Sequence, residues 1–135
     1  MPPSRTAIAG RKTLAGKVIV ILEDDELVRR ATERLLRRFG AEVVAGRTTA
    51  EVQEALSARG LAPDCVVADF WLCGEESGLA AAARLAGTAG GSLRTVIVTG
   101  DLSRETAEAV AGAGFHLLRK PVDSDRFLDA LVREN

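Results

Sequence analysis

The sequence predicts a single α/β domain, a doubly wound parallel sheet in which five strands alternate with five helices. Three observations predict it. Short apolar runs rich in β-branched residues recur along the chain, the pattern of strands buried on both faces. Between them, apolar residues fall at three- and four-residue spacing, the period of helices lying on such a sheet. Isolated polar residues, Asp69 above all, stand where the apolar runs end.

The elements follow in order. Residues 1–15 are rich in Pro, Ser, Gly and basic side chains without periodicity, so a flexible leader or linker is expected there, with the folded domain covering 16–135. Val18–Leu22 (VIVIL) is the first strand. Leu27, Val28, Ala31, Leu35, Leu36 and Phe39 then form a helical stripe, with Arg29, Arg30, Glu33, Arg34, Arg37 and Arg38 opposite and Gly40 closing the helix. Residues 41–45 are a short second strand. Thr48 with Glu51 is a capping-box signature for a helix reaching about Arg59, followed by Gly60. Pro63 and Asp64 introduce the third strand, Cys65–Asp69. Residues 79–86 read as an alanine-rich helix and 93–99 (LRTVIVT) as the fourth strand. Ser103 caps a helix reaching about Ala113, residues 115–119 form the fifth strand, and Asp123 caps a last helix with Phe127, Leu128, Leu131 and Val132 on its apolar side.

A chain of 135 residues suits one domain with a real core. With 18 basic and 19 acidic side chains, its net charge of -1 offers no overall footprint for nucleic acid or an anionic membrane. No apolar run approaches the roughly 20 residues that span a bilayer, and the N-terminal stretch lacks the apolar segment of a signal peptide. Cys65 and Cys73 are too few for a disulfide framework, so a cytoplasmic location is expected.

Open parallel sheets hold their sites beyond the carboxyl ends of the strands, and the unusual polar residues fall there. Glu23, Asp24 and Asp25 follow the first strand, Asp69 ends the third, Thr99 the fourth and Lys120 the fifth. Each has a plain structural reading as well: Asp25 and Glu26 as helix caps, Asp69 as a turn residue, Thr99 as a β-branched strand end, Lys120 as a solvated side chain. Four such explanations would have to coincide at four strand ends on one edge. Converging carboxylates need a compensating charge. Hard oxygen ligands suit Mg²⁺, and a lysine opposite adds a further cation. The pattern is that of a carboxylate nucleophile prepared for an anionic phosphoryl donor.

The stretches VIVILEDDELVRR, DCVVADFWLCGEESGL, TVIVTGD and FHLLRKPV, in that order, resemble the receiver domains of two-component response regulators. The resemblance runs from about Lys17 to the C-terminus and implies the flavodoxin-like strand order 2-1-3-4-5. It implies that Asp69 is the phosphoacceptor, that Asp24 binds Mg²⁺ directly and Glu23 through water, and that the Trp71 carbonyl is a further ligand along with Asp69. It also implies that Thr99 and Lys120 contact the phosphoryl group and that the Lys120–Pro121 bond is cis. The implied partners are a sensor histidine kinase or phosphotransfer protein and an unknown downstream protein, with no direct nucleic-acid contact and no membrane insertion. A homodimer through the fourth and fifth helices stays open. The implied output is a change in the surface of the fourth helix, fifth strand and fifth helix. The chain would catalyse only its own phosphorylation and dephosphorylation, and so not be an enzyme in the usual sense.

Some positions depart from the family. Cys73 replaces a usual proline, and Leu117 stands where an aromatic is frequent, leaving Phe115 as the aromatic on that strand face. Trp71 and Asp101 stand two residues beyond Asp69 and Thr99, positions that tune phosphoryl lifetime in the family. The loop CGEESGL and the ending LLRKPV also resemble receivers appended to hybrid sensor kinases. With the chain ending at Asn135, output is expected through a protein contact, a dimer or a domain elsewhere. The alternative reading is a degenerate receiver acting as an unphosphorylated interaction module. A dinucleotide-binding enzyme would need a glycine-rich turn where EDDELV stands.

Overall fold

The computed structural model describes residues 13–70, 77–88, 93–100, 103–120 and 123–132. Strands β1 (Val18–Leu22), β2 (Glu42–Gly46), β3 (Cys65–Asp69), β4 (Arg94–Thr99) and β5 (His116–Arg119) form one sheet. They alternate with helices α1 (Glu26–Arg38), α2 (Thr49–Arg59), α3 (Gly78–Thr88), α4 (Arg104–Gly112) and α5 (Ser124–Val132). The strands run parallel in the order β2-β1-β3-β4-β5, the flavodoxin-like (βα)5 arrangement expected from the sequence. The connection reverses direction across the sheet between β1 and β3. Loops leaving those two strands therefore diverge to opposite sides and open a crevice. In register, Leu22 stands beside Ala68 and Asp69 beside Val98, so β1, β3 and β4 end at nearly one level.

Strand alternation divides the apolar residues between two faces. Ile19, Ile21, Val43, Cys65, Val67 and Val96 meet Leu36 of α1 and Phe127, Leu128 and Leu131 of α5. Val20, Leu22, Val44, Val66, Ala68 and Ile97 meet Val52 and Leu56 of α2, Ala81, Ala82 and Leu85 of α3, and Val110 of α4. The small alanines let α3 lie close to the sheet.

The helix starts are set by side-chain caps. Asp25 accepts from the backbone N–H groups of Leu27 (3.0 Å) and Val28 (3.1 Å). Thr48 accepts from Glu51 N–H at 3.1 Å, but the Glu51 carboxylate reaches past Thr48 to the N–H of Arg47 at 2.9 Å. The expected capping box is thus displaced by one residue. Ser103 and Asp123 cap α4 and α5, accepting from Thr106 and Asp125 N–H. Gly60 closes α2 at φ +65°, a left-handed conformation that favours glycine.

Two features differ from expectation. Leu14, inside the expected leader, is fully buried, and its N–H donates to the Phe39 carbonyl at 2.8 Å. It fills the bottom of the α1 face, so the core begins before residue 16. The α1 stripe is also only half used. Leu36 is buried, whereas Leu27 is 81% and Val28 41% exposed. Helical period alone cannot tell how closely each turn approaches the sheet. Leu36→Ala is expected to cost about 2–5 kcal/mol and Leu27→Ala less than about 0.5 kcal/mol, as urea unfolding of the two variants would measure.

Candidate functional site

The crevice at the carboxyl edge brings three of the expected residues together. Glu23, Asp69 and Lys120 line one cavity. The Lys120 ammonium donates to Asp69 Oδ2 at 2.8 Å, with the Asp69 side chain mostly buried and that of Lys120 half-exposed. Lys120 reaches this position because β5 runs beside β4 to the same edge, and its backbone N–H donates to the Thr99 carbonyl at 2.8 Å.

Glu23 follows β1 and is buried, with 6% of its surface exposed. Its N–H donates to the Gly46 carbonyl, and its carboxylate accepts from Asp25 N–H at 3.1 Å. Arg29 Nη1 donates to the Glu23 carbonyl at 2.9 Å, tying the first turn of α1 to the end of β1. Burial raises the Glu23 carboxyl most. The Asp25 N–H and the Lys120 charge oppose that, while the Asp69 charge and a hydrogen bond with Asp24 add to it; the result is a pKa of about 7. For Lys120, burial disfavours the ammonium. The hydrogen bond to Asp69, the charge of Asp69 and the charges of Glu23 and Asp24 outweigh burial and hold its pKa above the usual lysine range. The ammonium is therefore retained wherever the protein is folded near neutral pH.

Thr99 ends β4 and is 1% exposed. It is not among the residues lining the cavity, and its carbonyl accepts from the Lys120 N–H beside the site. Phe115 is not placed to respond to it. Register sets Thr99 beside Arg119 and Ile97 beside Leu117. Phe115 is four residues from Arg119, roughly 13 Å along the strand direction, and packs with Leu117 on the α2, α3 and α4 side. Trp71, Cys73, Asp101 and Pro121 lie outside the described residues, and with them the expected carbonyl ligand and the cis bond.

The donor set suits a divalent cation in chemistry: Glu23, Asp24 and Asp69 offer hard oxygens. Among the described residues, no three His, Cys, Asp or Glu side chains stand together as a ready-made metal cluster. The charge balance nonetheless fits one. A buried carboxyl that keeps its proton almost to neutrality, beside two further carboxylates, is a place where a cation competes with that proton.

Two residues of the site escaped the sequence reading. Arg29 counted only as part of the polar side of α1. Gly78 counted only as loop punctuation, yet a Cβ there would overlap the carbonyl oxygen of Asp69. The Gly78 N–H donates to the Phe70 carbonyl at 2.8 Å, so α3 begins directly against the backbone that carries Asp69. Only glycine permits that approach.

The chain matches the protein family described as "Response regulator receiver domain" over residues 19–132. Among solved structures it is similar to a response regulator receiver protein from Burkholderia phymatum, at 29% identity over 88% of this chain and 97% of that one, with a TM-score of 0.70. It is also similar to a response regulator receiver domain protein from Methanospirillum hungatei JF-1, at 24% identity over 84% and 88% with a TM-score of 0.71. A third is a response regulator receiver domain protein from Clostridium thermocellum, at 21% identity over 85% and 90% with a TM-score of 0.74. The last two likenesses bear on the fold alone. A search of curated proteins finds no match.

Two outcomes are expected from this geometry. Because the folded pKa of Glu23 is raised from 4.5 to about 7, the stabilisation from its proton is full below pH 4.5 and is lost as pH rises through 7. Metal-free protein should lose up to about 3 kcal/mol from this group across that window, and Glu23→Gln should flatten the slope in urea melts. Gly78→Ala should cost about 1–3 kcal/mol and shift the amide resonances of Asp69 and Phe70.

Proposed function

The chain belongs to the response regulator receiver family and is a receiver domain of two-component signalling; on that premise we propose that Asp69 accepts a phosphoryl group from a partner histidine kinase or phosphotransfer protein. The observation that supports this most is the Lys120 ammonium 2.8 Å from Asp69 Oδ2, next to buried Glu23 at the carboxyl edge of the sheet. A nucleophilic carboxylate, a fixed cation and further oxygen ligands are what phosphoryl transfer to a side chain requires.

In this reading an Asp69 oxygen attacks the phosphorus of a phosphohistidine. The P–O bond forms as the P–N bond breaks, and the imidazole keeps the electron pair of that bond. Charge on residue 69 rises from one negative to roughly two. Lys120 holds the ammonium that faces this added charge. The receiver family is typically magnesium-dependent, and Glu23, Asp24 and Asp69 are the residues that would hold Mg²⁺, which supplies neutralisation of phosphoryl oxygens when bound. Burial of Glu23 and the capping of α1 by Asp25 keep the acidic loop in place before the donor arrives.

The response starts at Lys120 and Thr99. Their backbone hydrogen bond couples the end of β5 to the end of β4. A pull on Lys120 by the new phosphoryl charge is transmitted to Thr99 and to the loop that follows it. The surface of α4, β5 and α5 then changes, and a downstream protein responds to the extent that it binds the two states differently.

Incubation with Mg²⁺ and acetyl phosphate, read by intact mass, tests the acceptor. One phosphoryl group is expected on the wild type and none on Asp69→Ala or after chelation of the metal. Lys120→Ala should slow the gain at least about tenfold, because a charge-stabilising group at a transition state is commonly worth that much or more. A phosphoryl group that persists on Asp69→Ala would remove Asp69 as acceptor.

A further inference from the structure

Every polar group of Glu23 is held. Its N–H donates to the Gly46 carbonyl at 3.1 Å, which ties it to the end of β2. Its carboxylate accepts from Asp25 N–H at 3.1 Å. Its carbonyl accepts from Arg29 Nη1 at 2.9 Å. The ladder of β1 ends at Leu22, so the Glu23 carbonyl lies past the sheet and takes its bond from a charged side chain instead.

That bond bears on Asp24. The peptide between Glu23 and Asp24 is planar, so the Glu23 carbonyl and the Asp24 N–H turn together. Fixing the carbonyl therefore fixes the direction in which Asp24 leaves the backbone. Arg29 also acts one step further on, where its own N–H donates to the Asp25 carbonyl at 2.8 Å. One residue thus grips the acidic loop before Asp24 with its side chain and after Asp24 with its backbone.

The arginines around it behave differently. Arg30 pairs with Glu26 and Arg37 with Glu33 along α1, each at 2.7 Å. Arg29 is half-buried and turns back to the loop. Its charge also reaches Glu51 in the first turn of α2. The Glu51 carboxyl is held below the usual range first by the Arg47 N–H, against burial, and then by the Arg47 side chain and the charges of Arg47 and Arg29. The guanidinium is thus partly offset on the β2 side of the loop.

An arginine beside a cation site has two effects of opposite sign. Its charge repels the cation and lowers affinity. A hydrogen bond that orders the backbone carrying the ligands raises affinity. We propose that Arg29 is a positioning residue in which the second effect wins: by holding the Glu23 carbonyl it orders the Glu23–Asp24 peptide for a divalent cation. The ordering rests on the geometry of the loop. Its consequence for metal affinity and phosphorylation rests on the function proposed above.

Backbone amide NMR of the full chain tests this with Arg29→Met, Arg29→Gln and, as control, Arg30→Met. Each variant removes one positive charge from adjacent positions of α1. In metal-free protein the Asp25 amide should exchange at least about threefold faster in both Arg29 variants, while Leu35 and Leu36 deeper in α1 keep their protection. Titration with Mg²⁺ should give a Kd raised about tenfold in the Arg29 variants, the low end for outer partners of metal ligands, and moved less than about twofold in Arg30→Met. Loss of charge alone would tighten Mg²⁺ binding in all three. Acetyl phosphate at limiting Mg²⁺ should phosphorylate the Arg29 variants more slowly, and saturating Mg²⁺ should restore the wild-type rate.

Unchanged or tighter Mg²⁺ binding in the Arg29 variants, an equal loss in Arg30→Met, or unchanged exchange at Asp25 would each overturn the proposal. A rate that stays low at saturating Mg²⁺ would overturn a role through the metal. Should one Arg29 variant fail to fold in urea melts, the other decides. The two readings fail separately. Normal phosphorylation of the wild type, with variants that bind Mg²⁺ as tightly, removes the role of Arg29 alone. A wild type that takes no phosphoryl group, yet loses Mg²⁺ affinity and Asp25 protection with Arg29, removes the phosphoacceptor and leaves the positioning role standing.

Discussion

The ion pair between Lys120 and Asp69 is the contact on which the arrangement at the carboxyl edge depends. Glu23, Asp24 and Asp69 leave neighbouring strands within reach of one another, and without a cation their mutual repulsion would oppose the convergence that the sheet imposes. Lys120 supplies one positive charge at 2.8 Å. Glu23, buried and with its carboxyl pushed up to about 7, sheds part of the remaining negative charge. The compensation is incomplete in a useful sense. Near pH 7 that carboxyl still carries a proton part of the time, and a metal would compete for the same place.

The remainder of the fold serves that convergence. Parallel pairing brings the ends of β1, β3 and β4 to one level, and the reversal between β1 and β3 opens the crevice there. Gly78 lets α3 start against the Asp69 backbone, and Arg29 ties α1 to Glu23. The Lys120 N–H donates to the Thr99 carbonyl, so the ends of β5 and β4 are joined directly beside Asp69.

The two faces of the sheet are packed differently. On one, the small alanines of α3 sit close against the strands. On the other, Leu36 and Leu14 are buried at the far end of α1, and residues of α1 and α5 line the cavity near the site. Val28, at the near end of α1, is exposed.

Much of this was legible in the amino-acid order. Strand runs such as VIVIL and the caps Thr48, Ser103 and Asp123 act over a few residues, so local pattern is enough to find them. The strand-end positions of Glu23, Asp69 and Lys120 follow from the rule that a parallel sheet gathers its carboxyl ends on one edge. What only the tertiary structure decided depends on distances between elements remote in sequence. Period places Leu27 and Val28 on the apolar side of α1 but cannot say that this end of the helix leaves the sheet. Composition marks Leu14 as part of a tail, whereas contact with Phe39 makes it core. Face alternation pairs Phe115 with Leu117, yet register sets Phe115 too far down β5 to meet Thr99. Gly78 is required by a backbone contact with Asp69 that no local pattern encodes, because the close approach exists only once β3 and α3 are packed together.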